Sequence, residues 1–180
     1  MNELAWIAEL KKHLGLPEIV GAKHNPTLLA WLNDMGSYNG EQKAWWRDDE
    51  TAWCGLAVGH ALGVAGRFVV RDWFRAKAWA DSNAMTKLDK PAYGCIATKT
   101  RKGGGHVFFV VGRDKQGRIL GLGGNQSNRV SIVPFHENEL DGFWWPSRVE
   151  NGNPVKSLPN AARYNLTETV ATVAHGASEA

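Results

Sequence analysis

The spacing of apolar residues changes character near Pro91, and that change organises the chain. Before it the period is helical. Leu4, Ile7, Ala8, Leu10 and Leu14 recur at helix spacing and predict a helix over residues 3–14, closed by Gly15. Asn25-Pro26 makes a helix start, and Leu28, Leu29, Trp31 and Leu32 carry it to a stop at Gly36. A third helix is expected from about Trp53, with Cys54, Ala57, Val58, Ala61, Leu62 and Ala65 on one stripe and Gly66 after it. Residues 72–79 read as a short fourth.

After Pro91 the runs are short and rich in β-branched or aromatic residues: 93–98, 106–111, 119–122 and 130–133. Turn material at 113–117 and 123–127 separates them. Helices followed by consecutive strands predict an α+β domain built on an antiparallel sheet. From about Glu150 the chain is mostly polar and 175–180 reads as a frayed tail. The expected division is therefore one domain over 1–150 and a partly irregular extension over 151–180. Repeats and low-complexity tracts are absent.

Composition narrows the function. At 180 residues the chain can fill one core, and a net charge of +3 gives a mildly basic surface. No Lys/Arg run exceeds two residues, so a nucleic-acid partner is not expected. The charge suits an anionic polymer such as a cell wall, and serves equally as a plain solubility charge. Two cysteines, Cys54 and Cys95, cannot build a disulfide framework or a four-ligand zinc site, and they read as free thiols. No apolar run reaches the roughly 20 residues of a membrane span, and the first residues do not resemble a secretory signal, so stable membrane insertion is not expected. HExxH, CxxC, P-loop and GxSxG patterns are missing, so no metal or cofactor is expected. A monomer is the expected state.

Three positions carry candidate chemistry. Cys54 falls in the first turn of the third helix, where free backbone N–H groups and the helix dipole favour a thiolate. An adjacent imidazolium could bring it below neutrality, and Gly55 would let a substrate carbonyl approach; the plainer role for Cys54 is a small apolar stripe residue. His106 opens an apolar strand directly after three glycines, Gly103 to Gly105, where a general base for a thiol would be exposed. It could equally be a strand-edge histidine bonded to a loop. Asn125 follows the neighbouring strand at the same sheet edge, placed to orient the imidazole in a Cys-His-Asn set, or simply to shape a turn. Nine tryptophans could line a groove or fill the core.

Residues 4–146 resemble the small phage and prophage cell-wall hydrolases of the papain-like NlpC/P60 and CHAP group. The matching pieces are Asn25-Pro26, Asp49-Glu-Thr-Ala-Trp53-Cys54-Gly55, Gly105-His106-Val107, Leu122-Gly-Gly-Asn125-Gln126-Ser-Asn128-Arg-Val130 and Gly142-Phe-Trp-Trp-Pro146. The resemblance implies a papain-like fold with the cysteine helix packed on an antiparallel sheet. It implies that Cys54 attacks an amide, His106 activates it and Asn125 orients His106, with Gln126 the nearest competitor for that third role. Trp53, Gly55, Gly105 and Gln126 would lie at the substrate. Relatives often carry an acidic residue after the glycine that opens the first strand; here Gly94 is followed by Cys95.

The expected function is thus an endolysin-type peptidoglycan hydrolase that lyses bacterial cells. Made in the cytoplasm without a signal peptide, it would act in the periplasm or wall after holin-type release or export. Alternatives are an exported antibacterial amidase toxin of the same fold, a non-catalytic wall-binding or virion protein, and an acyltransferase.

Overall fold

The computed structural model describes residues 1–17, 25–35, 53–102 and 104–172. Among the described residues four helices precede the sheet: α1 (Ala5–Lys11), α2 (Pro26–Asp34), α3 (Cys54–Val64) and α4 (Ala76–Asp81). The strands are β1 (Thr86–Leu88), β2 (Ile96–Arg101), β3 (Gly104–Arg113), β4 (Ile119–Gln126), β5 (Arg129–Phe135) and β6 (Gly142–Trp145), then the ribbon β7 (Arg148–Glu150) with β8 (Asn153–Val155). β1 to β6 form one sheet in the order β1-β6-β2-β3-β4-β5, antiparallel throughout. The α+β organisation and the antiparallel sheet are as the apolar pattern predicts.

Each helix has a local reason to form where it does. Pro26 sits at the first position of α2, and the Asn25 side chain accepts from Thr27 N at 2.8 Å, so the start is capped as the Asn-Pro pair predicts. Gly15 and Gly66 both take positive φ just beyond α1 and α3. α3 departs from the expected single stripe: every residue from Cys54 to Leu62 is buried. A helix apolar all round belongs inside a core, and α3 is enclosed by α1, α2, β3 and β4. α4 begins four residues later than expected, because residues 71–74 form a turn that the Trp79 indole ties down by donating to Trp73 O at 2.9 Å.

The sheet is longer than its sequence signals. β1 and β6 were not among the expected strands; β1 has only three residues, and β6 is a buried aromatic run lacking alternation. β6 nonetheless lies between β1 and β2, pairing with both. Gly123 to Gln126, read as turn, continue β4.

The polar extension is tied to the domain. Tyr93 N donates to Arg163 O at 2.7 Å, Arg113 N to Thr167 O at 3.1 Å, and Thr169 N to Arg113 O at 2.8 Å. Leu166 and Ala171 pack against the core. The expected tail at 175–180 lies outside the described residues. All seven described tryptophans, at 6, 31, 53, 73, 79, 144 and 145, are buried and so belong to the core; Trp45 and Trp46 lie outside the described residues. Cys95, in place of an acidic residue, is fully buried in that same core. Among the described residues no helix is long and apolar enough to cross a membrane.

Candidate active site

β3 and β4 bring the candidate residues together. Their ladder pairs Phe109 with Leu122, Val110 with Gly121, and on to Arg113 with Ile119. Continued toward the start of β3, that register would set Asn125 across from His106. β4, however, carries an extra residue against β5 between Gly123 and Gln126. Asn125 absorbs it in the left-handed region at φ 56°, a conformation asparagine tolerates.

The consequence is a one-residue correction. The amide bonded to His106 is that of Gln126, whose Oε1 lies 2.9 Å from His106 Nε2. Asn125 does not occupy that place.

The hydrogen bonds around Gln126 settle which nitrogen of His106 carries the proton. Gln126 Nε2 donates to Gly121 O at 3.0 Å and to Ser131 O at 2.7 Å. Both amide hydrogens are committed, so Oε1 faces His106 and can only accept. His106 Nε2 must therefore be the protonated nitrogen, leaving Nδ1 with a free lone pair. Nδ1 is buried and makes no hydrogen bond among the described residues. Ser131 Oγ in turn donates to Gln126 O at 3.0 Å, holding the bulge closed. Phe108 and Phe135 stack at 4.2 Å, and the His106 ring lies 5.7 and 5.8 Å from them.

Cys54 is the first residue of α3. The backbone N–H groups of Val107 and Gly55 act on its thiol, which places the sulfur against the strand of His106, one residue along. Arg101, at the end of β2, acts electrostatically on both Cys54 and His106. No motif marked Arg101 in the sequence, and the Gly121 and Ser131 carbonyls carry no residue-type signal at all.

Electrostatically the pair is neutral at rest. Both side chains are enclosed, Cys54 at 0% and His106 at 1% exposure. Burial pushes the Cys54 thiol up, while the Val107 and Gly55 amides and the Arg101 charge pull it back only in part. Burial drives His106 down from 6.5 to about 4 against the opposing pull of the Gln126 bond, with Arg101 and Lys99 adding to the fall. The expected thiolate–imidazolium pair is therefore replaced here by thiol and neutral imidazole, because desolvation outweighs the helix end.

That shift has a stability consequence with a definite sign. Between the unfolded pKa of about 6.5 and the folded one, the unfolded chain holds a proton that the folded chain does not. The His106 contribution is fully present above the unfolded value and is lost as pH falls toward the folded value. Between pH 7.5 and pH 5 the loss is about 2 kcal/mol. Urea unfolding at the two pH values should show wild type losing about 2 kcal/mol more than His106→Phe. Equal losses would mean that His106 is not held neutral by burial.

The residues expected to touch substrate make packing contacts. Trp53 is buried against β4, where a Cβ on Gly124 would meet its ring at 2.6 Å. A Cβ on Gly55 would stand 2.2 Å from Trp73 O, so this glycine admits the 73–74 turn. Gly105 is half-buried under α4, with Ala76 Cβ 3.3 Å from where its own Cβ would be. Gln126 fixes the histidine. The described site thus contains Cys54, His106 and Gln126. No family model matches the chain, and neither does any curated protein or solved structure.

Proposed function

We propose that this chain is a cysteine hydrolase of papain-like type that cuts an amide in the peptide part of bacterial peptidoglycan. The single observation that carries the chemistry is the fixed His106 tautomer, with Nε2–H bonded to Gln126 and a buried, unbonded Nδ1 one residue from the amide that contacts Cys54. The substrate class rests on the resemblance of residues 4–146 to cell-wall hydrolases, and the positive net charge suits an anionic wall.

In this reading Cys54 Sγ attacks the amide carbon while its proton passes to His106 Nδ1. General-base transfer replaces a preformed thiolate, as a neutral pair requires. The imidazolium keeps its Nε2–H on Gln126 and gives the Nδ1 proton to the departing amine, leaving a thioester. Water then attacks the thioester with Nδ1 again as base, releasing the carboxylate and restoring the thiol. Backbone N–H groups in the first turn of α3 would turn toward the carbonyl oxygen and receive its negative charge as the thiol is consumed.

One observation favours a second reading. Cys54 and His106 are both enclosed, as in a wall-binding protein that keeps the fold without turnover. Mass spectrometry of purified peptidoglycan incubated with wild type and with Cys54→Ala separates the two. The hydrolase reading expects defined fragments from wild type and none from the variant, and the fragment masses name the bond. Intact peptidoglycan from both, under reducing conditions, would favour the binding protein.

A further inference from the structure

Ten residues along α3 from Cys54 the helix ends at Val64, and the chain turns through Ala65 and Gly66 into Arg67. At ~1.5 Å per residue, this end lies roughly 15 Å along the helix from the thiol. A cleft of about 650 Å³ opens there. Its floor is aromatic: Trp6 and Trp145 meet edge to face at 5.5 Å, and the Arg67 guanidinium lies over Trp6 at 4.8 Å. Arg148 and Arg163 complete a set of three arginines on its lining.

The charge of this cleft is one-sided. Half-buried Arg67 donates to Pro146 O at 3.2 Å and Ser157 Oγ at 3.4 Å, and Arg163 donates to Asn2 O at 2.7 Å. Among the described residues none of the three guanidiniums pairs with a carboxylate. Glu3 is the acidic residue on the lining, and it is already held by Lys11 at 3.0 Å and by Tyr93 at 2.8 Å. Burial and the nearby Arg148 charge push the Arg67 guanidinium below its usual range.

We propose that this cleft binds a phosphate group carried on a larger organic molecule. Guanidinium forks match phosphate oxygens in pairs, and three of them exceed what one carboxylate would neutralise. The volume exceeds that of a phosphate alone. Leu158, 68% exposed on the lining, offers apolar contact to the remainder of the ligand, while the buried tryptophans give the arginines a firm backing. A phospholipid headgroup and a soluble phosphate ester share this chemistry.

Two binding arms distinguish the sources. One is calorimetric titration with glycerol 3-phosphate. The other is co-sedimentation with vesicles of phosphatidylglycerol in phosphatidylcholine, against phosphatidylcholine alone. Arg148→Gln, at an exposed position, should weaken binding about five- to tenfold, while Lys115→Gln on the β3–β4 loop leaves it unchanged. Arg67→Gln should weaken it further where the variant folds. Binding in the vesicle arm alone names a lipid, and binding in the soluble arm alone names a free ester. No binding in either arm, or equal weakening by Arg148→Gln and Lys115→Gln, overturns the proposal.

Discussion

Replacing Gln126 by alanine is expected to lower kcat/KM on peptidoglycan by about 10²–10³-fold, while Asn125→Gly stays within about twofold of wild type. The two positions are adjacent, and the difference comes from which amide holds His106. Without Gln126 the imidazole loses the acceptor that keeps its proton on Nε2. The ring can then adopt the other tautomer, in which Nδ1 carries a proton and cannot take one from Cys54. Glycine at 125 keeps the left-handed backbone of the bulge without strain, so that variant removes only the side chain.

Gln126→Ala also leaves the Gly121 and Ser131 carbonyls without the amide they accept from, at about 1–3 kcal/mol for each buried group unpaired. Activity alone would not separate a lost tautomer from a loosened fold. The ¹⁵N shifts of His106 do separate them: wild type at pH 7 should show a single neutral form protonated at Nε2. Gln126→Ala should show a mixture of tautomers, and Asn125→Gly the wild-type pattern. A wild-type spectrum with the proton on Nδ1 would remove the base from the proposed mechanism.

The distance between Asn125 and Gln126 also measures what the sequence could disclose. The Gly-Gly-Asn-Gln run marks the correct end of the correct strand, and uninterrupted alternation from β4 points to Asn125. A bulge adds one residue and reverses which side chain faces a given partner, and nothing in residue type alone locates it. The helices were legible because their periods and caps are local, as at Asn25-Pro26. β6 was not, since a four-residue strand buried among aromatic residues has no polar alternation to reveal it. The charge state of Cys54 was misread for a related reason. A helix start is visible in sequence, whereas the burial that outweighs its dipole depends on α1, α2, β3 and β4 closing around α3.

Gly55→Ala tests the same division between local signal and tertiary packing, and here the two have opposite signs. By helix propensity alone, alanine in α3 would gain about 1 kcal/mol over glycine. The added methyl would lie 2.2 Å from Trp73 O and 3.2 Å from two atoms of the Phe74 backbone. That carbonyl has little freedom to retreat, because it accepts the Trp79 indole N–H at 2.9 Å and Trp73 is itself in the core. Displacing a buried turn of this kind outweighs the propensity gain, and the expected net loss is about 3 kcal/mol, or roughly 6–12 °C in Tm for a chain of this size. Gly63→Ala provides the opposite case within the same helix. Its methyl would find only Val69 Cγ2, at 3.7 Å, so propensity prevails and stability should rise by up to about 1 kcal/mol. Thermal unfolding of the two variants beside wild type reads both signs at once. A Gly55→Ala protein with unchanged Tm but without hydrolysis would instead place Gly55 at the substrate, where the Trp53-Cys54-Gly55 motif first set it.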